Sequence, residues 1–167
     1  MKEIINNIGE GAKRTGEIVK GLKTFSRDDN QTKVASDLNK GIASSLTLVQ
    51  NKLDSIKVKK DLNKLPQVLC YPGQLNQVFM NIIVNAIDAI KSKHEKGKGG
   101  ELVISSNYEA SNQSIIIIIK DNGVGIPEAL LNKIYDPFFT TKDVGKGTGL
   151  GLSIVYKIIE SHKGEII

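Results

Sequence analysis

Apolar residues recur along this chain in two periods, and each period places elements. Near heptad spacing, Ile4, Ile8, Ala12, Thr15, Val19 and Leu22 form one stripe, which predicts a helix from about Glu3 to Lys23 whose face requires a partner helix. The polar run Asp28-Asp29-Asn30-Gln31 then reads as a hinge, and Asp37 as the N-cap of a second helix carrying Ile42, Leu46, Val49 and Leu53. Pro72 opens a longer helical pattern that is apolar almost all round, through Val78, Phe79, Ile83, Ala86, Ile87 and Ile90. Elsewhere the period is two. Ile56 to Leu62 alternates Ile, Val and Leu against Lys and Asp, Val68 to Cys70 forms a short strand, and Leu102 to Tyr108 alternates around Val103 and Ser105. These three are expected in one sheet. Ile115 to Ile119 is uninterrupted, which suits a central strand covered on one face by helices. Leu150-Gly151-Leu152-Ser153 starts a last helix, and the chain reaches Ile167 in what reads as a strand.

Composition narrows the class. At 167 residues with 40% apolar content, the chain is long enough for one globular unit with a real core and a helical extension. No run of 18 apolar residues occurs, and Met1-Lys2-Glu3-Ile4 lacks a signal-peptide pattern. The expected location is cytoplasmic, with no membrane contact by these residues, although a parent protein could be anchored elsewhere. The one cysteine, Cys70, excludes an intrachain disulfide and a Cys-cluster metal site, and reads as a small buried hydrophobe. The formal charge of +5 is spread over dispersed lysines, apart from Lys57 to Lys64 and Lys91 to Lys98, with little aromatic interleaving. These are solvated faces, and no nucleic-acid partner is expected. The excess charge would favour the approach of an anionic nucleotide or an acidic protein surface.

Three groups of residues carry chemistry. Asn81, Asn85 and Asp88 fall on one face of the long helix at i, i+4 and i+7, and amides on an otherwise apolar helix need partners. Magnesium and phosphate oxygens would satisfy them; so would neighbouring backbone. Asp121-Asn122-Gly123-Val124-Gly125 follows the isoleucine run, and there the Asp121 carboxylate could accept hydrogen bonds from the exocyclic amine of a base. The run Gly145-Lys146-Gly147-Thr148-Gly149-Leu150-Gly151 precedes a helix start, so its backbone N–H groups and the helix dipole suit polyphosphate. Neither loop is a Walker sequence or a strand-borne GxGxxG. Between them, Pro127 to Gly147 contains Tyr135-Asp136-Pro137-Phe138-Phe139-Thr140-Thr141-Lys142, which reads as a mobile lid or, alternatively, a fixed surface loop.

Asn81 to Ala86, Asp121 to Pro127, Asp136 to Lys142 and Gly145 to Leu152 resemble, in order, the N, G1, F and G2 boxes of sensor histidine kinases. Gly9 to Arg27, ending in Phe25-Ser26-Arg27, is similar to the second helix of a kinase dimerisation and phosphoacceptor domain, so the resemblance covers essentially the whole chain. It implies an α/β (α+β) two-layer sandwich of the Bergerat type, a mixed and mostly antiparallel sheet covered on one face by helices and preceded by one long N-terminal helix. It divides the chain into residues 1–30, a partial dimerisation helix and hinge, and residues 31–167, an ATP-binding catalytic domain lacking its C-terminal strand. The cofactors implied are ATP and Mg2+. Asn85 would coordinate the magnesium, Asn81 would face the phosphates, and Asp121 would bind adenine in a pocket shaped by Gly123 and Gly125. Gly149 and Gly151 would bound the phosphate loop. Asp88, Ile126, Phe139, Thr140, Thr141, Gly147, Thr148, Leu150 and Leu152 complete the cofactor-binding set, and Lys142 joins Asn81 as the catalytic pair.

The partners implied are the phosphoacceptor-histidine helix of the same kinase, a response regulator receiver domain, and a second copy through the stripe of residues 3–23. The acceptor histidine of the family lies on a helix preceding Gly9, so neither His94, in the basic loop Lys91 to Gly100, nor His162, at a helix end, is expected to be it. Asp143 stands where relatives often have proline, a departure that would loosen the lid. Related gyrase-type ATPases carry a glutamate base four residues before the magnesium asparagine, where this chain has Asn81, and an amide cannot take a proton from water. Slow hydrolysis and transfer to a presented imidazole are therefore expected. The alternatives are a gyrase-type ATPase switch and a non-catalytic nucleotide-binding or interaction module.

Overall fold

The computed structural model describes Gly16 and residues 32–143 and 147–167. Apart from Gly16, which is helical, the expected helix Glu3 to Lys23 and its hinge lie outside the described residues. The chain divides into two compact units, with the boundary in the described part falling after Ile126.

Within Gln31–Ile126, strand β1 (Val34–Ser36) leads into helix α1 (Leu38–Leu48). As expected, Asp37 caps this helix, its Oδ1 accepting the Asn39 N–H at 2.9 Å. The helix stops at Leu48, short of the expected Leu53, because Val49 leaves helical geometry and the chain tightens into the 3-10 turn Gln50–Lys52. Strands β2 (Ile56–Leu62) and β3 (Val68–Cys70) follow. Helix α2 (Pro72–Lys93) begins with proline at a position where its missing N–H costs no hydrogen bond. A 3-10 turn at Glu95–Gly97 then feeds strand β4 (Gly100–Glu109), and β5 (Ser114–Asp121) completes the unit.

The strands form two sheets rather than one. β2, β4 and β5 lie side by side with β4 in the middle, parallel to β2 from Ile56↔Gly100 and antiparallel to β5 from Leu102↔Asp121. β3, expected among them, instead pairs antiparallel with β1 through Val34↔Cys70 and Ser36↔Val68. Three residues carry no alternation from which a sheet partner could be chosen. The isoleucine run, expected as the central strand, lies at one end of its sheet. Its isoleucines divide by parity, Ile116 and Ile118 exposed and Ile115, Ile117 and Ile119 half-buried, while the middle strand carries the fully buried Leu102 and Ile104.

Helix α2 packs on β4 and β5 and α1 packs on α2, which gives the helix-on-sheet layering expected. Ile83, Ile87 and Ile90 of α2 are buried, with Ile42 and Leu46 of α1. The polar Ser106 is 1% exposed but satisfied. Its hydroxyl donates to Asn39 Oδ1 at 2.8 Å, and Asn39 Nδ2 donates to the Asn63 carbonyl at 2.8 Å.

In residues 127–167, a 3-10 turn at Glu128–Leu130 and a run of turns lead to helix α3 (Gly151–Ser161). Ile154, Val155 and Ile158 are buried on one face of α3. His162 caps its end, as expected, with Nδ1 2.7 Å from the Ile158 carbonyl. Residues 164–167 form no strand, against the expectation for the chain end, because no ladder hydrogen bonds are made to them among the described residues. Among the described residues no helix is long and apolar enough to cross a membrane.

Two predictions test this packing. Ile83→Ala removes a side chain with no exposed area from the helix–sheet interface, and unfolding by denaturant should show a loss of about 2–5 kcal/mol. Lys59 Nζ lies 2.7 Å from Glu101 Oε2, and this hydrogen bond, helped by the charges of Lys59, Lys57 and Lys120, holds the Glu101 carboxyl below its ordinary range against a slight opposing desolvation. A carboxyl with a lowered native pKa stabilises the fold above its unfolded value and loses that contribution as pH falls through the native one. The stability difference between wild type and Lys59→Met should thus be present at neutral pH and vanish in acid.

Candidate functional site

The expected site residues fall into two groups, one in each unit. In the first, Asn81, Asn85 and Asp88 occupy half-buried positions along α2, as amides on an apolar helix should. The loop after β5 docks beside them. Val124 N–H donates to the Ala89 carbonyl at 3.2 Å, and a Cβ on Gly123 would stand 2.7 Å from the Ala89 oxygen. Only glycine permits that approach. Gly125 takes φ +71 with open space around it, and Val124 and Ile126 are exposed.

Asp121 is held from both sides. Its backbone ends the β5 ladder opposite Leu102, and its Oδ1 accepts the Gly123 N–H at 2.8 Å, the short turn expected of an aspartate before glycine. The carboxylate thus has a fixed direction, and it is half-buried.

In the second unit the lid segment and the glycine-rich run meet. Phe138 N–H donates to the Gly149 carbonyl at 2.9 Å, and a Cβ on Gly149, whose φ is +67, would lie 2.7 Å from Phe138 Cα. A Cβ on Gly147 would lie 2.8 Å from Thr140 Oγ1 and 3.2 Å from Lys142 Cδ. The structure therefore brings Phe139, Thr140, Thr141 and Lys142 beside Gly147, Thr148 and Gly149. Thr140 Oγ1 accepts the Lys142 N–H at 3.2 Å, and Thr148 Oγ1 accepts the Leu150 N–H at 3.4 Å. Leu150 stands at the N-cap of α3 with no side-chain acceptor, and Gly151 and Leu152 form the first turn. Tyr135 and Tyr156 stack with ring centroids 5.3 Å apart, pinning the turn region to the helix. Gly145 and Lys146 lie outside the described residues.

A sequence profile of the family described as "Histidine kinase-, DNA gyrase B-, and HSP90-like ATPase" matches residues 70–167, which hold both groups. The chain belongs to this ATPase family. Among curated proteins it is 40% identical over 120 residues to "Sporulation kinase E" of Bacillus subtilis, covering 71% of this chain and 15% of that one. Among solved structures it resembles the nucleotide-free catalytic domain of histidine kinase ThkA, with TM-score 0.66, 32% identity, and coverage of 78% of this chain and 82% of that one. It also resembles ThkA in complex with response regulator protein TrrA, with TM-score 0.74, 30% identity, and coverage of 98% and 45%. The chain spans between 15% and 34% of the length of the curated relatives it matches.

In this member of the ATPase family, three contributors escaped the sequence reading. Ala89 supplies the carbonyl and the close surface on which the loop rests. Asn122, read only as part of a turn, bonds to the start of β4. His94, expected in a solvated loop, directly follows α2 and is half-buried, its Nε2 3.2 Å from the Asn122 carbonyl. No periodicity signals any of them, because each acts through backbone groups distant in sequence.

Gly123 and Gly125 should respond differently to substitution. Gly123→Ala must push the loop off Ala89 and should cost about 1–3 kcal/mol of unfolding free energy. Gly125→Ala meets no neighbour and should cost only the left-handed backbone penalty of about 1–2 kcal/mol. Denaturant titration of the two variants checks the order.

Proposed function

We propose that residues 31–167 are the ATP-binding catalytic domain of a sensor histidine kinase, preceded in residues 1–30 by the second helix of a dimerisation and phosphoacceptor region. The observation that carries this reading is the docking of the Asp121 loop on the asparagine face of α2 in a chain whose relatives are named kinases.

In this reading Asp121 Oδ1 is occupied by Gly123, and Oδ2 accepts the exocyclic amine of adenine. Guanine presents a carbonyl oxygen there, which an acceptor-only carboxylate repels. Gly125 and Ile126 border the base, with Asp88 beside the loop. The N-terminus of α3, with Thr148, Gly149, Gly151 and Leu152, receives phosphate oxygens, and the Lys142 ammonium balances their charge.

Among the described residues no group of three or more His, Cys, Asp or Glu side chains is arranged to hold a metal. One amide oxygen from Asn85 suits Mg2+ nonetheless, since that ion keeps several waters and takes most of its oxygens from nucleotide phosphates. When bound it would neutralise the phosphate oxygens and help align them. Asn81, an amide, orients without accepting a proton. The acceptor is an imidazole on a helix of the same kinase, and onward transfer goes to a response regulator, a partnership supported by the ThkA–TrrA complex. Residues 3–23 would pair with a second copy, and the domain would work in the cytoplasm.

Calorimetric titration with ATP, ADP and GTP, with and without magnesium, tests the proposal. Asp121→Asn should weaken adenine nucleotide binding by about 1.5–3 kcal/mol, the scale of a charge-assisted hydrogen bond; unchanged affinity would remove Asp121 from the site. Asn85→Ala should abolish the dependence on magnesium while leaving metal-free binding intact. Equal losses in both conditions would contradict its role.

A further inference from the structure

Asn122 lies between the carboxylate proposed to read adenine and the glycine that docks its loop. Its side-chain Oδ1 accepts the Glu101 N–H at 2.8 Å, and its Nδ2 donates to the Gly99 carbonyl at 3.0 Å. Its backbone N–H donates to the Glu101 carbonyl at 3.3 Å, and its own carbonyl lies 3.2 Å from His94 Nε2. A carbonyl oxygen only accepts, so Nε2 carries the hydrogen. All four polar groups of Asn122 are therefore engaged.

These are not the bonds of an ordinary turn asparagine, which reaches its own backbone two residues on. The partners lie 21, 23 and 28 residues away, at the start of β4, in the glycine turn before it and just past the end of α2. The planar amide stands in for a peptide group, offering one acceptor and one donor to a neighbouring segment. Serine has no second group for this, and alanine has neither.

We propose that Asn122, backed by His94, is a positioning residue that aims the Asp121 carboxylate and so sets the preference for adenine. The inference rests on the proposed role of Asp121. On its N-terminal side Asp121 is fixed by the ladder with Leu102, and two residues on Gly123 is fixed by Ala89. Asn122 is the joint between the two anchors, and its clamp removes the freedom that the intervening torsions would otherwise have. Discrimination between two purines depends on aim, because a displaced carboxylate still repels phosphate equally but no longer distinguishes an amine from a carbonyl.

The test is calorimetric titration of ATP and GTP, with magnesium, into the unaltered chain and into Asn122→Ala, His94→Ala and His94→Gln, with thermal unfolding of each. Asn122→Ala should bind ATP about tenfold more weakly, the scale of one misaimed charge-assisted hydrogen bond, and GTP little changed, so that the ratio narrows. His94→Ala should weaken ATP severalfold, and His94→Gln, which restores an N–H donor, should recover most of it. Equal weakening of ATP and GTP by Asn122→Ala, or wild-type affinity for both, overturns the inference. Should Asn122→Ala fail to unfold cooperatively, the His94 pair decides, and equal ATP affinity in its two variants overturns it. Failure of the unaltered chain to bind ATP is a separate result, and defeats the proposed function itself.

Discussion

A Cβ on Gly123 would lie 2.7 Å from both the oxygen and the Cβ of Ala89, so only glycine lets the end of β5 descend onto the helix that carries Asn81, Asn85 and Asp88. That approach constrains much else in the first unit. It requires α2 to hold a fixed height over β4 and β5, which Ile83, Ile87 and Ile90 secure by being buried. It brings Val124 N–H within 3.2 Å of the Ala89 carbonyl, and it turns the chain sharply enough for Asp121 to accept from Gly123. A loop seated this way is anchored to the helix, so the Asp121 turn and the asparagine face are held together.

The second unit solves a different problem. Phosphate oxygens are bulky, highly charged and satisfied by many geometries, and they call for backbone N–H groups and a cation rather than a single aimed side chain. In the proposed function, residues 138–143 and 147–152 would supply these with small residues and a left-handed glycine locked to Phe138. Its fixed points include the backbone pairing of Phe138 with Gly149, the threonine turns, and the Tyr135–Tyr156 contact.

The helices were legible because their signals are redundant. Pro72 and the dense apolar pattern both describe α2, and Asp37 with the run Ile42, Leu46 and Val49 describes α1. The alternation of Leu102 to Tyr108 identified β4, whose buried face carries Leu102, Ile104 and Ser106. What failed was sheet membership. Val34–Ser36 and Val68–Cys70 are three-residue strands that pair with each other, and no pattern of three residues encodes that choice. The isoleucine run misled because uniform hydrophobicity suggests a central strand, whereas it lies at one end of its sheet with Ile116 and Ile118 exposed. In the site, the motif residues were visible by type and order, but the clamp of Asn122 was not, since its partners Gly99 and Glu101 carry no side-chain signal for it.

The order of polar residues along α2 also bears on what the proposed site can do. Seven residues separate Asn81 from Asp88, about 10 Å at the rise of an α-helix. Ala89, where the Asp121 loop docks, adjoins Asp88, so the carboxylate of this face stands at the end that would meet the base in the proposed function. The far end, where phosphates would lie in the proposed function, offers the amides of Asn85 and Asn81. An amide can orient an oxygen or a magnesium ion, but it cannot deprotonate water, so this helix contributes no general base where hydrolysis would need one. A neutral imidazole needs no such base, being nucleophilic near neutral pH as it stands. In the proposed function, one carboxylate and two amides on a single helix face would favour transfer to histidine over transfer to water.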